Sequence, residues 1–419
     1  MTDMFSSLTL PNGTSLPNRL CKAAMEENMC GAGQLPSEGL FKLYRHWADG
    51  GAGLILSGNV MVAPDALTGP GGVVLTKDTM TDPDAVKLFE RWAEIGRSGD
   101  GQFWLQISHP GRQVYAAQGM SVISASATKV TLPGLEKMFV TARALDKSEI
   151  EGLITRFADT AEAAQTLGFD GVQIHAAHGY LAAQFLSPLT NLREDKWGGS
   201  LENRARFILE IIKAVRARVG SKFGVGVKLN SADFQKGGFD AKDAAQVVTW
   251  MNALAVDFVE ISGGSYESPA MQGFSQDGRS ESTKARELYF LGFAEQISSV
   301  ANMPIMVTGG VTQKSTAEAA LAGGKVDIIG MARAMAYVPD LPNQWQAGKA
   351  LKVSWRQASF KNRILTALGN MALTKNSLHL MAAGKAPKLN ASPLTSILKD
   401  RLRISRLTKR YKKWLQKTS

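Results

Sequence analysis

The sequence lacks the features that define several classes of protein. It has two cysteines in 419 residues, Cys21 and Cys30, too few for a disulfide framework or a four-cysteine zinc or iron–sulfur site. No stretch approaches the roughly 20 apolar residues that cross a bilayer, and the first residues show neither the basic start nor the apolar run of an export signal. We therefore expect a globular, cytoplasmic protein with reduced thiols.

Positive charge is concentrated at one end of the chain. The formal net charge is +11, and residues 399–419 hold nine basic residues and one acidic residue, so the remainder is nearly neutral. This segment also carries an apolar stripe at helical spacing, formed by Ile404, Leu407, Tyr411, Trp414 and Leu415. The pattern predicts a basic amphipathic helix. Such a helix can dock on the protein body, adsorb peripherally to an anionic membrane surface or, as the least favoured partner, bind RNA.

Short apolar segments recur along the chain, and most are followed by a stretch with helical spacing, which is typical of repeated βα units. The eight strand candidates are residues 19–25, 53–62, 102–108, 171–177, 223–229, 258–264, 304–310 and 327–333. Eight parallel strands close into a barrel whose interior is filled by side chains. We predict a (β/α)8 TIM barrel over residues 1–345, a helical extension over 346–393 and the basic tail over 394–419.

Barrel active sites lie where the strands end at their C-terminal side. Gly309 and Gly310 end the seventh strand candidate and Arg333 ends the eighth, a placement that favours a phosphate site. Earlier strands end near the Gln106 amide and the Lys228 cation. Together these groups suit a phosphorylated flat heterocycle with carbonyl and N–H edges, such as flavin mononucleotide (FMN). An alternative for Lys228 is an ion pair with a barrel carboxylate such as Glu260.

The longest motif follows the fourth strand candidate. The stretch "HAAHGYLAAQFLSPLTNLREDKWGGSLENRARF", residues 175–207, resembles the central signature of the Old Yellow Enzyme family, the FMN-dependent ene-reductases also called NADH:flavin oxidoreductases. The resemblance covers roughly residues 4–345. It continues in "LPNRLCKAAM", "LQISHPGR", "VGVKLNSADF", "VTGGV" and "GMARAM".

The resemblance implies a role for each residue of the motif. His175 and His178 would hold the carbonyl or nitro oxygen of an activated alkene, and Tyr180 would protonate its α-carbon. NADH or NADPH would be the electron donor and a small enone-type molecule the substrate. The residues placed at the FMN site are Ala24, Met25, Glu26, Gln106, Lys228, Gly309, Gly310, Ala332 and Arg333, with Lys228 standing where many relatives have arginine.

The sequence differs from the family pattern in three ways. Glu26 stands where many members have a threonine or cysteine near the flavin, and a carboxyl group there would alter the redox potential. Cys21 lies five residues too early to be the cysteine that tunes the flavin. Two cysteines cannot supply the iron–sulfur cluster of the family's larger relatives.

Three other functions are compatible with parts of the sequence. His175 and His178 could be metal ligands of a barrel hydrolase with His109 as a third, although this leaves Gln106, Lys228 and Arg333 without a role. An FMN barrel acting on RNA, similar to the dihydrouridine synthases, would use the basic tail but would need a cysteine acid in place of a tyrosine. A flavin-binding scaffold without activity would not need the acid.

Substrate choice should depend on loops 111–120 and 263–278.

Overall fold

The computed structural model describes residues 3–132, 135–268 and 290–418. It confirms the predicted (β/α)8 barrel, since eight parallel strands form one closed sheet in which the first strand pairs with both the second and the eighth. The strands are β1 (Leu20–Lys22), β2 (Leu54–Met61), β3 (Gln102–Ser108), β4 (Gly171–Ala176), β5 (Gly224–Asn230), β6 (Phe258–Ser262), β7 (Ile305–Thr308) and β8 (Ile328–Met331).

Helices alternate with the strands and cover the outside of the sheet. In chain order they are α1 (Glu38–Ala48), α2 (Pro83–Gly96), α3 (Lys147–Thr166), α4 (Leu181–Leu186), α5 (Leu201–Val219), α6 (Ala241–Met251), α7 (Leu291–Ser298), α8 (Lys314–Ala322), α9 (Arg333–Tyr337) and α10 (Leu341–Gln346). Ser200 caps α5 by accepting a hydrogen bond from the Asn203 N–H. The apolar face of α5, which includes Ile208 and Ile211, is fully buried against the barrel.

Apolar side chains fill the barrel interior at the N-terminal ends of the strands. Trp104 of β3 crosses this interior and packs against Phe258, with ring centroids 5.2 Å apart. Gly171 and Gly224 make room for the indole, because a Cβ at either position would overlap its ring atoms. An N-terminal hairpin, Leu8–Thr9 paired with Ser15–Leu16, closes this end. The opposite, C-terminal end is therefore the open end of the barrel.

The connections at the C-terminal end are longer than those at the other end. Residues 109–146 follow β3 and contain a two-strand pairing of Ile123–Ser124 with Arg143–Ala144. The loop after β6 is described as far as residue 268, so the part of predicted substrate loop 263–278 beyond that position lies outside the described residues. These connections surround the strand ends at which the sequence placed the site.

Two further helices follow the barrel, α11 (Arg363–Ala382) and α12 (Pro393–Thr418), and they pack against each other. The predicted apolar stripe of α12 faces the barrel. Tyr411 is fully buried, and its hydroxyl donates to the Pro64 carbonyl at 2.8 Å. Arg410 donates to the Cys30 carbonyl at 2.6 Å. The stripe therefore docks on the protein body, the first of the alternatives given for this helix, and α12 lies across loops that follow β1, β2 and β3.

Hydropathy places no membrane span among the described residues. Within residues 3–132, 135–268 and 290–418, no helix is both long and apolar enough to cross a bilayer.

Candidate functional site

Two histidine rings meet at the C-terminal end of β4. His175 is the fifth residue of this strand, and His178 lies three residues later in the loop that leads to α4. Their rings are perpendicular, with centroids 5.1 Å apart, and His175 Nε2 is 3.2 Å from His178 Nδ1. The two inner nitrogens therefore face each other at hydrogen-bonding distance, and one of them donates to the other.

Each outer ring nitrogen has a partner on another strand. Asn59 Oδ1 of β2 lies 2.8 Å from His175 Nδ1, and Ser262 Oγ of β6 lies 2.6 Å from His178 Nε2. A serine hydroxyl that donates to His178 Nε2 leaves the proton of a neutral ring on Nδ1. Asn59 Oδ1 accepts from His175 Nδ1–H, which leaves Nε2 of a neutral His175 ring without a proton. His178 Nδ1 then donates to His175 Nε2, and this N–H is the one that lies between the two rings.

Burial keeps both imidazoles neutral. The pKa of His175 lies well below its ordinary value because of burial first and then the positive charges of His178 and Lys228. The pKa of His178 is lowered by burial and by Lys228. A neutral ring has one N–H to donate, so the pair can bind an oxygen that gains negative charge without itself changing protonation state near neutral pH.

The backbone at His178 is held in an uncommon conformation. Its φ is 60°, in the left-handed region that non-glycine residues seldom adopt. Asn230 at the end of β5 accepts from the His178 N–H at 2.9 Å, and the Gln113 amide donates to the His178 carbonyl at 2.8 Å. Because a side chain of β5 and one of the β3 loop fix both backbone groups, the ring direction is set by contacts outside the loop that carries His178.

Tyr180 completes the cluster. Its ring centroid lies 4.7 Å from that of His175, and its hydroxyl is 3.3 Å from the Tyr266 hydroxyl in the loop after β6. Burial, followed by the negative charge of Glu26, raises the pKa of Tyr180 far above its ordinary value. The phenol is therefore protonated at neutral pH, as a proton donor must be.

Side chains of the β3 loop hold Tyr266 in place. Gln113 Oε1 accepts from the Tyr266 backbone N–H at 3.2 Å while its amide nitrogen binds His178. Arg112, which is buried, forms an ion pair with Glu267 and donates to the Lys129 carbonyl. The β3 and β6 loops are thus joined directly beside the two tyrosines.

A chain of buried polar groups crosses the barrel beside this cluster. The Gln106 amide donates to Gln173 Oε1 at 2.6 Å, and Gln173 donates to Glu260 Oε2 at 2.7 Å. Glu260 Oε1 lies 2.8 Å from Lys228 Nζ, so the ion pair that sequence analysis held open for Lys228 is present. The direction of donation commits the Gln106 NH2 group to Gln173. Gln106 Oε1 therefore lies at the end of this row of hydrogen-bonded side chains, where it can accept from an N–H of a bound heterocycle.

The ends of β7 and β8 fit a phosphate. Gly309 and Gly310 have φ values of 150° and 71°, which a residue with a Cβ rarely adopts. Arg333 follows β8, and no ion pair of its guanidinium with a carboxylate occurs among the described residues. Burial lowers the pKa of Arg333. A partly buried guanidinium without an anionic partner beside two glycine N–H groups matches the phosphate of FMN.

The segment after β1 forms the remaining wall. Ala24 and Ala332 both pack against the interior cluster of the barrel, whereas Met25 packs against the outer core. Glu26 accepts a hydrogen bond from the buried Thr68 hydroxyl of the β2 loop. Its charge raises the pKa of Tyr180, so Glu26 lies in the same site as the histidine–tyrosine cluster.

His175 and His178 have no third side chain beside them, within the described residues, with which to hold a metal ion. Across residues 3–132, 135–268 and 290–418, no three His, Cys, Asp or Glu side chains come together in a way that could hold a metal ion. His109, the ligand considered for a hydrolase, accepts a hydrogen bond from the Gly111 N–H at 3.1 Å.

Buried imidazoles should make the protein sensitive to acid. Burial lowers the pKa of His109 to about 3, so the folded chain leaves it neutral at a pH where the unfolded chain protonates it. The unfolded state then binds more protons, and stability falls as the pH drops below about 6.5. Between pH 7 and 5.5 one such histidine costs about 1.3 kcal/mol.

His109→Gln tests this directly, because a glutamine oxygen can accept the Gly111 hydrogen bond and does not titrate. Urea unfolding at the two pH values should show a loss of stability smaller than that of wild type by about 1.3 kcal/mol. Raised acids such as Asp257 act in the opposite direction in both proteins and cancel in the difference. Equal losses in the two proteins would show that His109 is not kept neutral.

A (β/α)8 barrel with a phosphate cradle, an amide for a heterocycle edge and an oxygen-binding histidine pair defines a flavin-dependent oxidoreductase. The chain belongs to the NADH:flavin oxidoreductase / NADH oxidase family, whose model matches residues 3–352. FMN is therefore its cofactor and NADH or NADPH the electron donor.

Individual relatives agree with the family. The chain is 37% identical over 360 residues to the NADH-dependent flavin oxidoreductase iliE of Hypocrea jecorina (strain QM6a), covering 82% of this chain and 89% of that protein. Among solved structures, the Old Yellow Enzyme homologue from Zymomonas mobilis is 26% identical with a TM-score of 0.69, covering 84% of this chain and 94% of that one. Morphinone reductase is 25% identical with a TM-score of 0.68, covering 84% and 91%.

The residues singled out by sequence come together in part through others that sequence analysis missed. Asn59, Gln113, Asn230, Ser262 and Tyr266 all hold a residue of the histidine–tyrosine motif. Asn59 had one signal, since Gly58 beside it in a strand suggests a bulge, and the β2–β3 register does shift between Leu56 and Asn59. Asn230 and Ser262 end β5 and β6, whereas Gln113 and Tyr266 lie in the loops that follow β3 and β6, and none of these four residues belongs to a motif of its own.

Proposed function

We propose that the protein reduces the C=C bond of α,β-unsaturated carbonyl or nitro compounds with electrons from NADH or NADPH. The observation that carries the proposal is the convergence of His175 Nε2 and His178 Nδ1, 3.2 Å apart, beside a protonated tyrosine. Such a site holds an oxygen and offers a proton a short distance away, which is what addition of hydride and a proton across an activated alkene requires.

When bound, FMN would supply the hydride chemistry that links the nicotinamide to the β-carbon of the alkene. The residues proposed to hold FMN are Gln106 at the heterocycle edge, Gly309 and Gly310 at the phosphate, and Arg333 at its charge. Lys228 is proposed to act with its partner Glu260, so the pair brings little net charge to the ring. Glu26 is proposed to add negative charge near the flavin and thereby to lower its reduction potential.

The protein groups divide the remaining work. We propose that a bound substrate oxygen replaces the hydrogen bond between the two rings, with the His175 proton moved to Nε2, so that His175 and His178 each donate to this oxygen and stabilise the negative charge it would gain. Tyr180 donates its hydroxyl proton to the α-carbon, and its raised pKa favours quick recovery of that proton. Tyr266 is the nearest hydroxyl, at 3.3 Å, and is proposed to stabilise the phenolate and return the proton.

Loss of one oxygen-binding donor should weaken both binding and turnover. His178→Ala removes the Nδ1–H donor, and we expect enone reduction to slow by about 10²-fold, with weaker binding of phenol as an oxygen-bearing ligand. Phenol titration monitored by the flavin absorbance measures binding. FMN content should be unchanged, because His178 is not among the residues proposed to hold it. Wild-type phenol affinity in the variant would remove His178 from the oxygen site.

Steady-state turnover tests the proposed reaction. Under anaerobic conditions, 2-cyclohexenone and N-substituted maleimides should support NADH or NADPH oxidation and yield the saturated products. Saturated cyclohexanone is the matched control, since it has the carbonyl but not the alkene, and should support none. Oxidation of the nicotinamide by oxygen alone, with no alkene reduced, would reject the proposal.

A further inference from the structure

The outward face of α12 has apolar and basic side chains and no acidic ones. Leu394, Leu398 and Leu402 recur every four residues, which places them on one side of the helix, and they are 63%, 61% and 53% exposed. The exposed basic residues of the same helix include Lys399, Arg406, Lys409, Lys413 and Lys417. The one acidic residue, Asp400, is turned inward, where it pairs with Arg403 at 3.6 Å.

We propose that this outward face docks on an anionic lipid bilayer. Leucines beside lysines and arginines fit the boundary between headgroups and acyl chains, where apolar side chains enter and cations remain at the phosphates. The stripe differs from the one that the spacing of Tyr411 and Trp414 suggested. Those aromatic residues contact the barrel, while the leucines face away from it.

Other partners fit this face less well. Single-stranded RNA is bound by aromatic side chains that stack on bases, and the aromatics of α12 are turned toward the barrel. Two copies of the helix would bring positive faces together and repel each other. Charge complementarity therefore favours an anionic surface, and the exposed leucines favour a lipid one.

Docking would also orient the active site. The inner face of α12 covers loops that follow β1, β2 and β3, with Leu407 against Gly71 and Lys412 near Gly119. These loops lie at the end of the barrel that holds His175 and Tyr180. A chain bound through the outer face of α12 has its substrate entrance toward the bilayer, so the substrate class inferred is lipophilic enones that partition into membranes. This part rests on the proposed function.

Vesicle sedimentation tests the docking without any assay of activity. Full-length FMN-loaded protein is mixed with vesicles of phosphatidylcholine alone or of phosphatidylcholine with phosphatidylglycerol. We expect binding to the anionic vesicles only, and its loss at high salt. Leu398→Ser combined with Leu402→Ser should lower the partition constant by about tenfold or more. Lys409→Gln combined with Lys413→Gln should lower it about 25-fold, from about fivefold per basic residue.

Leu192→Ser is the matched control, because Leu192 is 64% exposed but lies on the barrel rather than on α12. It should bind vesicles like wild type. Substitution is preferred to truncation, which would uncover the barrel surface beneath Tyr411. No binding to anionic vesicles, or binding that the leucine pair does not affect, overturns the proposal. Binding to polyuridylate without binding to vesicles assigns the face to RNA and also overturns it.

A second measurement separates the docking from the reaction. A long-chain enone loaded in anionic vesicles should be reduced several-fold faster by wild type than by the Leu398→Ser, Leu402→Ser protein, while both reduce 2-cyclohexenone in buffer equally. Failure with both substrates in both proteins would reject the proposed function and leave the sedimentation result standing. Equal rates on the loaded enone would reject membrane delivery of substrate.

Discussion

Tyr180→Phe should slow the reduction of enones by about 10³-fold, within the range that a positioned proton donor contributes. The substitution removes one hydroxyl from a ring that contacts His175 and leaves the histidine pair and the proposed FMN contacts in place. Reduction of the flavin by NADH needs no proton from this group, so that half-reaction should keep its wild-type rate. Rapid-mixing absorbance measurements follow the two half-reactions separately.

Tyr266→Phe is the matched comparison, since it removes the hydroxyl 3.3 Å from that of Tyr180 and leaves the proton donor itself. We expect it to slow the enone half-reaction by about tenfold, because Tyr180 then recovers its proton through water. Equal losses in both half-reactions of Tyr180→Phe would show that this residue binds FMN or NADH. A larger loss with Tyr266→Phe than with Tyr180→Phe would exchange their roles.

Arg333→Ala should weaken FMN binding by about 10²- to 10⁴-fold, because hydrogen bonds to a charged group contribute about 1.5–3 kcal/mol each and a guanidinium can make two. The substitution also removes a cation–π contact, since Arg333 Cζ lies over the Trp355 ring 5.8 Å from its centroid, and such a contact contributes only about 0.5–1 kcal/mol. Equilibrium dialysis of the apoprotein with FMN measures the affinity. The unfolding temperature of the apoprotein should stay close to that of wild type.

Arg333→Lys sharpens this test. Lysine keeps the charge but cannot form two parallel hydrogen bonds, so its FMN affinity should lie between those of wild type and Arg333→Ala. Riboflavin, which has no phosphate, should bind all three proteins alike. Wild-type FMN affinity in Arg333→Ala would place the phosphate away from the ends of β7 and β8.

The barrel could be predicted because its signal repeats along the chain. Each of the eight apolar segments overlaps an observed strand, and the stripe on α5 is buried as its spacing predicts. Most of the partners of the histidine–tyrosine motif could not be predicted, since contacts such as Ser262 with His178 depend on strand register across the barrel. Bulges such as the one before Asn59 change that register locally.

The C-terminal helix could also be predicted only in part from the sequence. Its spacing predicts an amphipathic helix, and α12 spans Pro393–Thr418. Spacing identifies an apolar face but not the surface that covers it. Tyr411 is buried because a complementary pocket exists between Met61, Leu67 and Val74, three residues more than 300 positions earlier in the chain. Only the folded chain shows that Leu398 and Leu402 remain outside this contact.

A single anaerobic turnover tests the proposed reaction most directly. Enzyme with bound FMN is reduced by one equivalent of NADH and then mixed with 2-cyclohexenone in the absence of oxygen. We expect the oxidised flavin spectrum to return and one cyclohexanone to form per FMN. A flavin that stays reduced until air is admitted, with no cyclohexanone formed, would contradict it and leave an NADH oxidase in place of an ene-reductase.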